Sequence, residues 1–356
     1  MRESSLARFL LLAYGLLVAY ATLHPLSGWR DPGVSPFAFL AAPWPRYLTG
    51  FDLAANFFGF SPYGFLFVLA VRPGWTAGMA VALALASGGA LSLALEATQS
   101  FLPARIPSHV DVLANIAGVA AGALAGALAA SHLLGGGPLQ RARVEVLETG
   151  AWPNLGLTLL GLWLLAQLNP ATLLFGAGDL RDLLAAPAGE RHDAGFFVAI
   201  EAGIAAANLL AVTMLGSTLA RPGAPLRAML VGLLVVALAV RTLAFAVLMQ
   251  AEHALVWLTP GAQLGLACGI VLALVALLVP RGTRLALAVM LLMAATVLVN
   301  LAPPNPYLAA TLKVWEQGHF LNFNGLTRLV SSLWPFAAMG YLVLIAARGG
   351  RDGSLG

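Results

Sequence analysis

The sequence predicts an all-α fold: a polytopic integral membrane protein of about ten transmembrane helices, whose N-terminal four-helix block carries a candidate duplicated helical hairpin. Three observations predict it. Hydrophobic residues fill 60% of the 356 positions and charged ones 10%, at a mean hydropathy of +0.87, whereas a soluble domain carries roughly 25% charge. Ten apolar runs approach the about 20 residues that cross a bilayer core. Finally, one phrase is written twice. Asp52-Leu53-Ala54-Ala55-Asn56-Phe57-Phe58-Gly59 recurs 59 positions later as Asp111-Val112-Leu113-Ala114-Asn115-Ile116-Ala117-Gly118. Both read D-x-x-A-N-x-x-G, and steps of four and three put Asp, Asn and Gly on one helical face.

The first run, Leu6 to Leu23, follows Arg2 and Arg8 and contains Ala19-Tyr20-Ala21, a pattern shared with cleaved signal peptides. It is read as a retained first span. The second to fourth runs are Leu53 to Val71, Trp75 to Leu95 and Val110 to Leu134. The fifth to tenth are Trp152 to Leu168, Ala194 to Ala220, Leu226 to Gln250, Gln263 to Val279, Leu285 to Leu301 and Leu329 to Ala347. Eleven basic residues fall in segments on the N-terminal side of this topology and seven on the other. That bias predicts a multi-pass membrane protein with both termini in the cytoplasm.

Gly135-Gly136-Gly137-Pro138 and the charged stretch Gln140 to Glu148 mark the clearest internal boundary. The expected organisation is a four-helix domain over 1–134, a cytoplasmic linker over 135–150 and a six-helix domain over 151–356. Net charge is +4, but the basic residues are scattered over loop ends. No basic stripe or stacking platform is present, so nucleic acid is not an expected partner. The single Cys268 excludes an intrachain disulfide. The partners expected are membrane lipids and a cell-wall or lipid-linked ligand.

In the fourth run Gly118, Gly122 and Gly126 recur at steps of four, a spacing that lets helix backbones approach closely. The third run offers Gly89, Ser92, Glu96 and Gln99 on one stripe. These two faces are expected to pack together and bring Glu96 towards Asp111 and Asn115. The short loop between them, stiffened by two prolines, carries Arg105 and His109.

The ordered set Asn56-x-x-x-Phe60-x-Pro62-x-Gly64, then Glu96-x-x-Gln99, then Arg105 with Asp111-x-x-x-Asn115-x-x-Gly118, resembles the VanZ-like family over residues 8–134. Members are integral membrane proteins, and the resemblance implies a link to low-level resistance to the glycopeptide teicoplanin. It supplies no reaction. Read physically, Asp52, Asn56, Glu96, Gln99, Arg105, Asp111 and Asn115 converge on the outer membrane face as ligand-binding candidates. The alternative is a structural network, with Asp52 and Asp111 capping helix N-termini and Arg105 pairing with an acid. Capping does not require Glu96, Gln99 or the two asparagines. Three acids against one arginine suit a cationic or amine-bearing ligand or a peptide better than a phosphate. Oxygen donors would suit a divalent metal, but no ligand spacing is diagnostic and no metal or cofactor is assigned. No nucleophile motif, P-loop or dinucleotide fingerprint is present, so catalysis is the lesser reading. A transporter or flippase, or a membrane enzyme acting on lipid-linked substrates, are the alternatives.

In the C-terminal region Arg241 lies mid-helix, and Glu201 is the only carboxylate well inside a neighbouring span. Their depths differ by about 3 Å at 1.5 Å per residue, so an intramembrane ion pair is expected. The last outer loop, Ala302 to Gly325, is rich in Pro, Asn and aromatics. It reads either as an interfacial belt or as a lid offering Lys313, Glu316, His319, Asn322 and Asn324.

Overall fold

The computed structural model describes residues 5–45, 48–181, 192–249, 251–303, 305–312 and 321–352. The chain is all-helical, with no strand among the described residues, and is a polytopic membrane protein. Among the described residues eight helices are long and apolar enough to cross a membrane. They are α1 (Ser5–Leu23), α2 (Gly50–Val71), α3 (Ala77–Gln99), α4 (His109–Leu133), α7 (Ala194–Thr218), α8 (Leu226–Leu248), α10 (Arg281–Leu301) and α12 (Leu321–Asp352). Shorter apolar helices, α6 (Ala151–Ala166) and α9 (Pro260–Ala276), account for the fifth and eighth runs. Outside the ten runs lie α5 (Pro138–Val146) and α11 (Pro306–Leu312). Of the proposed lid, Lys313, Glu316 and His319 lie outside the described residues, as does the side chain of Asn322.

The chain divides into two compact units: Met1–Glu145 with Thr149–Leu155, and Val146–Glu148 with Gly156–Gly356. The expected linker is therefore partly structured. Its residues 138–146 are helical, and Leu147 bridges Ala220 in antiparallel fashion.

In the first unit α2 and α4 lie against each other along their length. A methyl added at Gly118, Gly122 or Gly126 would collide with the carbonyl of Phe57, Ser61 or Phe65 respectively. The pairs ascend together, so the two helices run parallel. Small side chains are what permit backbone contact at this range. The expectation that this stripe faces the third span is corrected: α3 meets a neighbouring face of α4, with Gly88 against Val119, Gly89 against Ile116 and Ser92 bonded to Asn115. A four-residue glycine spacing specifies close approach without specifying the partner.

The second unit is built around α7, most of whose C-terminal half is buried. Here too a parallel partner lies two helices further on. Gly261, Gly265 and Gly269 of α9 press on Glu201, Ala202 with Ala205, and Ala206 with Leu209 of α7. Each unit thus runs helix, long connection, then three helices whose first and third are parallel and joined by a glycine stripe.

Candidate functional site

The polar site of the first unit gathers where α2 and α4 begin and α3 ends. Thr49 caps α2, accepting from the Asp52 amide while the Asp52 carboxylate takes the Thr49 amide and hydroxyl, a reciprocal capping box. Ser108 caps α4 and accepts from the Val110 amide. Asp111 occupies the matching third position but does not close a box. The Ser108 amide donates instead to Glu96 Oε2 at 2.9 Å. Glu96, only 3% exposed, thus satisfies the first turn of α4 from the end of α3. The Asp111 carboxylate is left to face the Asn56 side chain, with Asp52 in electrostatic range.

The depth of the two asparagines follows from the glycine contacts. The α4 glycines meet carbonyls 61 positions earlier in the chain, and Gly64 of α2 meets the Val119 carbonyl 55 positions later. The 59 residues between Asn56 and Asn115 fall between these offsets, so both asparagines stand at nearly one depth. Asn115 is 3% exposed and donates from Nδ2 to Ser92 Oγ at 2.9 Å. Its Oδ1 is buried without a hydrogen-bond partner among the described residues.

Gln99 Nε2 donates to the Thr22 carbonyl at 2.9 Å, and Arg105 Nη2 to the His24 carbonyl. The end of α1 is thereby tied to the α3–α4 loop. Burial lowers the Arg105 pKa from its usual value, opposed by the neighbouring charge of Glu96. Burial, together with the Arg105 charge, also lowers the pKa of His24 and favours its neutral ring. Glu96, Arg105, Asp111 and Asn115 all lie where α3 ends and α4 begins. The four are gathered at one end, but Glu96, Arg105 and Asn115 bond to Ser108, His24 and Ser92, while Asp111 faces Asn56. Helix ends and turns offer unpaired amides and carbonyls that compete for the same side chains.

The α1–α2 connection was not read from the sequence as part of this site. Arg30 donates its amide to the Phe101 carbonyl, Ser100 Oγ donates to the Pro36 carbonyl, and His109 Nδ1 lies 3.3 Å from the Phe39 carbonyl. Phe39 packs with Ala97 and Val112, and Trp44 meets the His109 ring edge-on. Its only advance signal is a run of Pro, Gly and aromatics without helical period. The outcome is a polar end holding three carboxylates and four side-chain amides or cations drawn from α2, α3, α4 and the α3–α4 loop.

Residues 9–130 match the VanZ/LLP1 family model. The N-terminal region is VanZ-like, and the C-terminal helices lie beyond the match. No curated protein and no solved structure matches the chain.

In the second unit the expected Glu201–Arg241 ion pair is corrected. Among the described residues no ion pair joins them. Arg241, 1% exposed, donates to the Asn169 carbonyl at 2.5 Å, the Gln167 carbonyl at 3.4 Å, and both the carbonyl and hydroxyl of Thr172. Its guanidinium also lies 4.9 Å from the Phe245 ring centre. Glu201 accepts from the Thr259 hydroxyl, the cap of α9, at 2.6 Å. The reason is the early end of α6 at Ala166, which leaves a row of carbonyls that no helix satisfies. An arginine with five donors is well matched to them.

Proposed function

We propose that the VanZ-like region binds the cationic or amine-bearing head of an envelope component or amphiphile at its Glu96 end. In this reading the protein sits in the bacterial cytoplasmic membrane, with that end outward and both termini cytoplasmic. The observation that carries the proposal is the Asp111 carboxylate. Glu96 takes the Ser108 amide that a capping-box acid at Asp111 would otherwise take, so Asp111 faces Asn56 and Asp52 across two parallel helices. Below it, Asn115 holds a buried acceptor without a donor. An ammonium group has three donors and no acceptor, which is what an acceptor-rich end lacks. A polar group held at a membrane helix end at this desolvation cost is a functional candidate.

The test is native mass spectrometry of molecules retained by gently extracted protein, comparing wild type with Asp111→Asn. Loss of one amine-bearing species in the variant, at unchanged melting temperature, is the expected result. Identical retention in both proteins would defeat the proposal. A role in glycopeptide resistance follows as its physiological form, read out by teicoplanin sensitivity of cells carrying each variant. A transporter or flippase is the second reading. One observation favours it: the fifth span is broken, α6 giving way to irregular buried backbone, an arrangement used at transporter binding sites.

A further inference from the structure

Residues 24–45, which lead from α1 towards α2, wrap the turn between α3 and α4. Gly28 stands beside Pro103, Arg30 donates its amide to the Phe101 carbonyl, and the Pro36 carbonyl accepts from the Ser100 hydroxyl. At the far end Trp44 meets the His109 ring. Between these points Phe39, 6% exposed, packs on Ala97 and Val112, with Leu93 and Ile116 one turn further in on the same helices. Ala97 is two residues from the end of α3 and Val112 three from the start of α4. Phe39 therefore lies beside the end turns of two spans and not above them.

The other side of this segment is apolar and uncovered. Trp29, Val34, Phe37, Leu40 and Trp44 are exposed, and so is Ile106 of the wrapped turn. Across 25–45 the only charged residues are Arg30 and Asp31. Apolar side chains gathered in this way mark an interaction surface. The backbone suits an apolar setting as well. Five of the 21 residues from 25 to 45 are proline, which has no amide hydrogen to satisfy. The amides of Phe37, Ala38, Leu40 and Ala42, around Phe39, are all bonded within the segment. Irregular backbone beside lipid needs its polar groups met by protein, and around Phe39 most of them are.

The partner is indicated by what this surface continues. Val112, under Phe39, is followed by the exposed Leu113, which heads a row with Ala117, Leu124 and Leu128 down the outside of α4. Steps of four, seven and four keep the row on one helical face, and α4 is one of the spanning helices, so the row faces lipid. Tryptophan is favoured where such a face ends at the membrane boundary, and Trp29 satisfies its indole N–H on the Leu26 carbonyl. We infer that residues 26–44 are a membrane-interface anchor, lying in the lipid head-group zone at the Glu96 end with their apolar side chains towards the acyl chains. That zone is about 5–8 Å deep on each side of the hydrocarbon core, room for one chain lying flat. The anchor holds the α3–α4 turn, with Arg105 and the start of α4, at head-group level whatever ligand that end meets.

The test places a nitroxide on single cysteines, Leu40→Cys or Trp44→Cys, in full-length Cys268→Ala protein reconstituted into phosphatidylcholine nanodiscs. Collisions with oxygen, which concentrates in lipid, are compared with those of a water-soluble nickel chelate. Leu124→Cys supplies the lipid-facing reference and free label in buffer the aqueous one. Labels at 40 and 44 should favour oxygen, with collision ratios closer to the Leu124→Cys label than to free label. A ratio equal to that of free label would put the segment in water and overturn the inference. Few collisions with either reagent would overturn it too, by showing a face covered by protein, and dipolar broadening would then identify a second copy. Unsubstituted protein gives an independent readout, through a phosphatidylcholine whose photoreactive group sits at the head-group end of its acyl chain. Crosslinks to 37–44 are expected, and crosslinks confined to the spans refute the anchor.

Discussion

Glu96 and Asp111 look alike in composition and differ in duty. Glu96 holds the Ser108 amide, so Glu96→Ala should leave a buried donor unsatisfied and cost about 1–3 kcal/mol of stability. Glu96→Gln, which keeps an acceptor, should cost less in the same thermal melt. Asp52→Ala breaks a capping box and should cost about 1 kcal/mol, whereas Asp111→Asn should leave the melting temperature nearly unchanged. Arg241 is a further case. Its donors go to backbone carbonyls, so Arg241→Gln should lose about 1–3 kcal/mol for each buried carbonyl it leaves without a donor. Adding Glu201→Gln should not restore it, because no direct contact is removed twice. Recovery in the double variant would point to an ion pair after all. Asp179, in the connection before α7, supplies a pH signature. Burial raises its carboxyl pKa, but the hydrogen bonds and charge of Arg181, with the charge of Arg328, outweigh this and hold the group below its usual 3.8. A depressed carboxylate stabilises the fold fully above the unfolded value and loses that effect as pH falls through the folded one. The melting-temperature gap between wild type and Asp179→Asn should be constant from about pH 8 to 5 and close below about pH 4.

At the scale of elements, the glycine stripes decide which helices touch. Gly122 lies closest to its partner carbonyl and Gly126 loosest, where 2.8 Å would remain. Gly122→Ala should therefore destabilise the first unit by about 1–3 kcal/mol through overpacking, and Gly126→Ala by less. Gly59, with open space around it, should tolerate alanine at no measurable cost. Equal effects at all three sites would mean that helix propensity, not packing, governs them. The spans themselves were legible because apolar length leaves few alternatives in a membrane protein. The glycine face of α4 was legible as a contact surface, but a stripe does not name the helix that receives it. Trp152 to Leu168 shows a related blindness. Apolar composition does not distinguish a continuing helix from buried irregular chain, so the break after Ala166 and the carbonyls awaiting Arg241 could not be foreseen. Likewise the acids of the site were found by position, while their partners, Ser108 and Ser92, are small residues that carry no pattern.

For the whole molecule, the recurrence of one architecture is the point with most consequence. In the first unit α1 is followed by a long connection, then α2, α3 and α4, with α4 glycines seated on α2. In the second, α6 is followed by an equally long connection, then α7, α8 and α9, with α9 glycines seated on α7. The polar ties repeat as well. Gln99 and Arg105 bond carbonyls at the end of α1, as Arg241 bonds those after α6. An acid meets the cap of the last helix in each: Glu96 at Ser108, Glu201 at Thr259. The family match covers residues 9–130 of the first unit, and the likeness of the second unit to it is one of architecture. Two units with separate cores should unfold as separate transitions. Calorimetry of the full chain in detergent should resolve two, with Gly122→Ala lowering only one and Gly265→Ala, which crowds Ala202 and Ala205, lowering only the other. In the double variant the two losses should add, as they do for sites that share no contacts. A single transition shifted by either substitution alone would show that the two units melt as one cooperative body.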